Sequence, residues 1–170
     1  MQEIEDLATS VSDNDGVYLV PAFLGLSAPY WRPDARAGIL GLTPAATRAH
    51  VARAALEAIA YIINDVLQLM EDEAGLKLTT IRADGGATRN RFLMQFVADI
   101  TDLKVRAAQT PELSALGAVF AGMLGMGIYT SLSDLNNLPS EYVEYHPSLP
   151  PEQVETLLAG WKHAVGQVLF

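Results

Sequence analysis

The sequence predicts an α/β fold with a mixed or parallel sheet flanked by helices, and three observations carry that prediction. Short apolar, β-branched runs recur along the chain, amphipathic stretches with 3.6-type spacing lie between them, and turns rich in glycine, asparagine and aspartate separate the two kinds. Residues 1–12 read as the end of a helix, and Asp13-Asn14-Asp15-Gly16 is a strong turn signal. Val17 opens the strand-like run VYLVPAF over 17–23, followed by the loop LGLSAPYWRPDARAG and a second short apolar run over 39–42. Thr47 can cap a long helix whose apolar positions Val51, Ala55, Ile59, Ile62, Val66 and Leu69 recur at 3.6-type spacing, and Gly75 ends it. A strand over 78–83, a helix over about 88–101, a strand over 104–107 and an Ala/Gly-rich helix over about 112–126 come next. Residues 127–149 read as a loop-rich passage, and Pro150-Pro151 opens a terminal amphipathic helix with Val154, Leu157, Leu158, Trp161 and Val165 on one side.

Composition limits the function classes. The 170 residues are half apolar and amount to one domain's worth of packed chain. Eleven basic against twenty acidic residues give a net charge of −9, which argues against nucleic-acid and anionic-membrane partners but not against a nucleotide held by a local field. There is no cysteine, hence no disulfide or thiolate metal site, and a cytoplasmic location is expected. The opening residues are acidic and carry no apolar core, so no signal peptide is expected. The longest apolar run, 113–128, is broken by Ser114 and four glycines, and reads as a buried helix. No Walker-type phosphate loop, dinucleotide-binding glycine pattern or hydrolase nucleophile elbow is present.

The most informative stretch is 76–93, LKLTTIRADGGATRNRFL. It places a double glycine between a strand and a helix, at the carboxyl end of the strand, where ligands gather in parallel sheets. Gly85 and Gly86 let backbone approach a ligand closely, and the following helix start offers N–H groups to an anion. In this reading Gly86 meets the ribose or phosphates of a nucleotide and Asn90, one turn on, offers its amide to the base. Taken alone, Gly-Gly reads first as an ordinary tight turn before a core helix.

Several separated segments decide between these. VYLVPAFLGLSAPYWRPDARAGILGLT, AHVARAALEAIAY, IRADGGATRNRFLMQFVADI and ELSALGAVFAG occur in that order. Together they resemble the carboxyl-terminal domain of the FGGY carbohydrate kinases. Ile39, Gly41, Leu42, His50, Val51, Ala54, Ala55, Leu56 and Glu57 match one of that family's signature patterns. The wording is nearest to the members that act on glycerol, while Arg32 and the pair Thr88-Arg89 depart from it. The resemblance implies an actin-like, ribonuclease-H-like ATPase fold and an ATP-dependent transfer of phosphate to glycerol or a related polyol or sugar. It implies Gly85, Gly86 and Asn90 as adenine-nucleotide contacts, with MgATP or ADP as the bound nucleotide. The family's catalytic base, its substrate-gripping residues and most of its Mg²⁺ site are implied to lie upstream. No catalytic or metal residue is therefore assigned here, and residues 1–170 are expected to be a nucleotide-side fragment. Another FGGY sugar substrate, or a catalytically inactive binding or assembly module, are the alternatives.

Other residues admit two readings each. Asp84 is a ligand or a helix-capping carboxylate. Arg89 adds a contact to phosphate or is a solvated helix-start residue. Tyr30 and Trp31 stack on a ligand or pack their loop onto the core. Glu57 needs a partner if buried, and the Arg36 loop is a candidate. His50 reads as a surface residue, and His50, His146 and His163 are too scattered to bind metal. The small residues 114–118 suit close helix packing. In ribonuclease-H-like sheets the strand order is 3-2-1-4-5, so strands 78–83 and 104–107 correspond to the fourth and fifth. With its central neighbour absent, the 78–83 strand would have an open edge. The sequence then leads us to expect cover from the chain's own 17–23 segment or from a second copy, that is, a homo-oligomer.

Overall fold

A computed structural model describes residues 2–109, 113–136 and 141–169. In chain order the elements are α1 (Gln2–Thr9), β1 (Tyr18–Val20), β2 (Gly38–Leu40), α2 (Arg48–Ala74), β3 (Thr80–Ala83), a 3₁₀ turn (Gly86–Arg89), α3 (Arg91–Thr101), β4 (Lys104–Ala108), α4 (Leu113–Gly125), α5 (Leu132–Asn136), β5 (Tyr142–Tyr145) and α6 (Pro151–Val168). β1 and β2 form an antiparallel pair with Leu19 opposite Ile39. A second sheet has the order β3-β4-β5, with β3 parallel to β4 (Ile81 opposite Val105) and β4 antiparallel to β5 (Arg106 opposite Glu144).

Local chemistry explains most boundaries. Asn14 folds the expected turn on itself: its side-chain oxygen accepts from Gly16 N at 3.0 Å and its carbonyl from Val17 N at 2.8 Å, with Gly16 at φ 72°. Thr47 caps α2 by accepting from Ala49 N, while His50 Nδ1 accepts from Thr47 N at 3.0 Å. His50 is thus a capping partner and half-buried, not merely a surface residue. Gly75 ends α2 in the left-handed region at φ 61°.

The core lies where α2, α3 and α6 meet β1 and β4. Val20, Ala22, Phe96, Val97, Ile100, Val105, Ala107 and Val165 are all buried in it. Tyr61 of α2 is its centre, stacked on Trp161 at 5.2 Å and edge-on to Phe96 at 5.6 Å between ring centroids. Val105 and Ala107 face this core, so Arg106 in between points to the other face of the sheet. There it pairs with Glu144 at 3.1 Å and lies 4.5 Å over the Tyr142 ring, with its Nε–H not aligned for a hydrogen bond.

Three expectations need correction. The passage over 127–149 contains α5 and β5, and β5 supplies the antiparallel partner of β4. Its period-2 signal is four residues long and charged on one face, too short to register as a strand. The 17–23 segment does not cover β3: it pairs with β2 in a separate sheet, and β3 is the edge strand of its own. The small-residue helix is not closely packed within this chain, since Ala115, Gly117, Ala118, Val119, Ala121 and Gly122 of α4 are exposed. Glu112, where that helix was expected to begin, lies outside the described residues.

Candidate functional site

Strand β3 ends at Ala83, and Asp84 then stands exposed, making no side-chain hydrogen bond among the described residues. Gly85 follows at φ 87°, ψ −176°, a conformation essentially restricted to glycine. Its identity is thus explained by the backbone alone. Gly86 differs: it has no positive φ, and a Cβ built on it would meet no atom within 4 Å. The chain's own packing gives no reason for a glycine there, while the surface above it is open.

Thr88 anchors the 3₁₀ turn from below. Its hydroxyl donates to Gly85 O at 2.8 Å, and lies 3.4 Å from Ala108 O at the end of β4. Arg89 is exposed, as a solvated helix-start residue is. Asn90 is fully buried and caps α3, its side-chain oxygen accepting from Leu93 N at 2.8 Å and its carbonyl from Met94 N at 3.1 Å. Its carboxamide does not face the surface. The remaining donor, Nδ2, is buried with no partner, a costly arrangement. An asparagine directly before an apolar-periodic run is the sequence signal for this cap.

The start of α3 is also less open than a bare helix terminus. Phe92 N donates to Glu5 Oε1 of α1 at 3.0 Å, so a carboxylate of the chain itself already sits at the positive end of the helix. The Arg53 guanidinium of α2 lies 4.9 Å over the Phe92 ring. Two other elements, α1 and α2, therefore hold the first turn of α3, and no pattern in the sequence pointed to Glu5.

Among the buried carboxylates, Glu57 and Asp65 serve the scaffold. Glu57 is tied not to Arg36 but to Arg53 Nε (2.7 Å), Asn14 Nδ2 (2.9 Å) and the Tyr61 hydroxyl (3.4 Å). Spacing explains the difference, since Arg53 is one helical turn before Glu57, whereas Arg36 Nη1 donates to the carbonyls of Asp34 and Ala35. Burial pushes the Glu57 carboxyl above its usual range, against the pull of Arg53. Asp65 accepts from the Tyr30 hydroxyl and from Trp161 Nε1, both at 2.7 Å. Tyr30 thus packs its loop onto the core, whereas Trp31 is 72% exposed at φ 51°.

A cavity of about 150 Å³ lies beside the Glu57 network, lined by Asn14, Arg53, Glu57, Gln95 and Asp99 among others. A groove of about 430 Å³ runs between α2, α6 and the Pro29-Tyr30 loop. Neither includes Gly85, Gly86 or Asn90; among the described residues Gly85 and Gly86 are exposed and Asn90 is buried beneath them. Among the described residues no group of three or more His, Asp or Glu side chains is placed to hold a metal ion. No helix among them is long and apolar enough to cross a membrane.

A strand-turn-helix shelf of this kind has no single function, and comparison with known proteins defines the class. Residues 2–126 match the profile of the FGGY family of carbohydrate kinases, C-terminal domain, and the chain belongs to that family. Its fold is that of the FGGY kinases, which are actin-like ATPases. Among individual proteins, it is 46% identical over 167 residues to a glycerol kinase of Saccharolobus islandicus, covering 98% of this chain and 33% of that protein. It is 45% identical over 168 residues to a glycerol kinase of Shewanella woodyi, covering 99% and 34%. The crystal structure of Plasmodium falciparum glycerol kinase with ADP superposes with a TM-score of 0.88 at 34% identity, covering 99% of this chain and 34% of that one. Xylulose kinase from Rhodospirillum rubrum superposes at 0.77 with 27% identity, covering 98% and 33%. The chain spans about a third of the length of the relatives it matches.

Proposed function

We propose that this chain is the nucleotide-side lobe of an ATP-dependent kinase that phosphorylates glycerol or a related polyol or sugar. The observation that carries the reading is Gly86: an exposed glycine that nothing in the chain's packing requires, at the carboxyl end of β3, in a sequence 46% identical to a glycerol kinase. Gly85 shapes the turn, Gly86 gives a ligand room to approach the backbone, and Asn90 fixes the turn from beneath with one amide donor to spare. The ADP in the Plasmodium falciparum enzyme supports an adenine nucleotide as the ligand. When bound, ATP supplies the phosphoryl group, and this chain's part is to bind and orient the nucleotide. The described residues offer no cluster of His, Asp or Glu to hold Mg²⁺. The acceptor base and the metal ligands are left to polypeptide beyond these residues.

A second substrate class has its own support, since a xylulose kinase shares the fold at 27% identity. Glycerol stands first because the glycerol kinases are far more similar in sequence. The same reading places the chain in the cytoplasm and has it self-associate through the open β3 edge. Titration calorimetry with ADP tests the central claim. Millimolar binding, about −4 kcal/mol, is expected of one cleft wall, with loss of binding in Gly86→Val at unchanged melting temperature. Micromolar ATP binding that survives Gly86→Val would place the site elsewhere. The 170-residue chain is expected to show no glycerol phosphorylation, and turnover that Gly86→Val abolishes would show that it carries a complete active site.

A further inference from the structure

We infer that Glu5 of α1 is a positioning residue for the glycine turn. The inference rests on the nucleotide reading of that turn, but its geometry stands apart from it. α3 begins one residue after the 3₁₀ turn Gly86–Arg89, so wherever the first turn of α3 is fixed, the glycine shelf is fixed with it. Two of the helix's first donors are satisfied locally, Leu93 N by the Asn90 side chain and Met94 N by the Asn90 carbonyl. The third, Phe92 N, is satisfied from 87 positions away by Glu5 Oε1 at 3.0 Å. A helix start needs such an acceptor, and a carboxylate there also meets the positive end of the helix. The opposite end of the shelf is tied to β4 through Thr88 and Ala108. Glu5 and Thr88 thus hold the shelf between α1 and the sheet. The Tyr145 phenol of β5 lies within electrostatic reach of both Glu5 and Arg91, and Arg53 steadies the same turn through the Phe92 ring.

Reach and charge are separable at this position. Glu5→Gln keeps an acceptor oxygen at the same distance without the charge, whereas Glu5→Asp keeps the charge and withdraws it by one methylene. In the 170-residue chain, amide exchange over 86–93 and the ADP dissociation constant are measured for both variants and for Glu5→Ala. Glu5→Ala and Glu5→Asp are expected to speed exchange over 86–93 and weaken ADP by up to about tenfold, the worth of one hydrogen bond. Exchange over 51–65 of α2 should not change. Glu5→Gln should restore both readouts to within about twofold, as a retained hydrogen bond requires. Leu7→Ala, on the same helix, should lower the melting temperature and leave ADP binding alone. Wild-type exchange and affinity in Glu5→Asp, or equal damage in Glu5→Gln, overturns the inference. If the unsubstituted chain binds no ADP, the nucleotide reading fails and the exchange measurements alone decide the role of Glu5.

Discussion

Glu57 shows how much depends on a single side chain. It is about 1% exposed, and its carboxylate joins the 12–16 turn, α2 and the Tyr61 ring of the core. Glu57→Ala leaves the Arg53 guanidinium, itself largely buried, without its charge partner, and should cost about 3 kcal/mol in urea unfolding. The sign of its pH dependence follows from burial. Because Glu57 holds its proton more tightly in the folded chain, its contribution is fully present below the unfolded value of 4.5 and is lost as pH rises through the folded value. Asp13, Asp34 (held down to about 2 by Arg32), Glu71 and Asp134 act in the opposite sense. Their stabilisation is present above the unfolded values of 3.8 to 4.5 and is lost as pH falls through the lowered ones. Denaturation series toward acid should therefore show falling stability, and a steeper fall in Glu57→Gln, which lacks the opposing contribution. A shallower fall in that variant would contradict the buried-carboxylate account.

At the scale of elements, caps and close approaches decide stability. Asn90→Ala frees Leu93 N at the start of α3 and should cost about 1–2 kcal/mol, read as a lower melting midpoint. Gly160 in α6 lies under the Tyr18 phenol, whose hydroxyl donates to Leu157 O at 3.2 Å. Alanine is the better helix former by about 1 kcal/mol, yet Gly160→Ala should destabilise, because its methyl group would occupy the place of the Tyr18 ring. A stabilised Gly160→Ala variant would mean that α6 can shift away from β1. α4 is the converse case, an apolar helix that leaves Ala115, Ala118, Val119 and Ala121 exposed and Leu116, Phe120, Met123 and Leu124 only half-buried.

For the whole molecule the consequence is an unfinished surface. β3 pairs only with β4, so the backbone groups along its other edge have no strand partner among the described residues. An open edge of this kind pairs with whatever strand it meets. The 170-residue chain should therefore self-associate with rising concentration in light scattering, and Thr80→Lys, a charged edge residue, should weaken that association. A monodisperse monomer at all concentrations would show that the edge is protected in some other way.

The sequence by itself determined the alternation of helices and strands, the long capped α2, the glycine turn after β3 and the family, because these rest on local periodicity, turn chemistry and the order of several motifs. Gly85 and Gly86 were legible for the same reason: a double glycine between strand and helix is a local pattern. What tertiary structure alone decided depends on partners distant in sequence. Asn90 proved a buried cap, Glu57 chose Arg53 over the Arg36 loop, and Glu5 met Phe92 across 87 positions, none of which leaves a periodic trace. β5 was hidden because four residues against β4 gain their stability from the neighbouring strand rather than from their own pattern. The open β3 edge is likewise a property of the assembled sheet, since a strand's pairing is fixed by what lies beside it and not by the residues it contains.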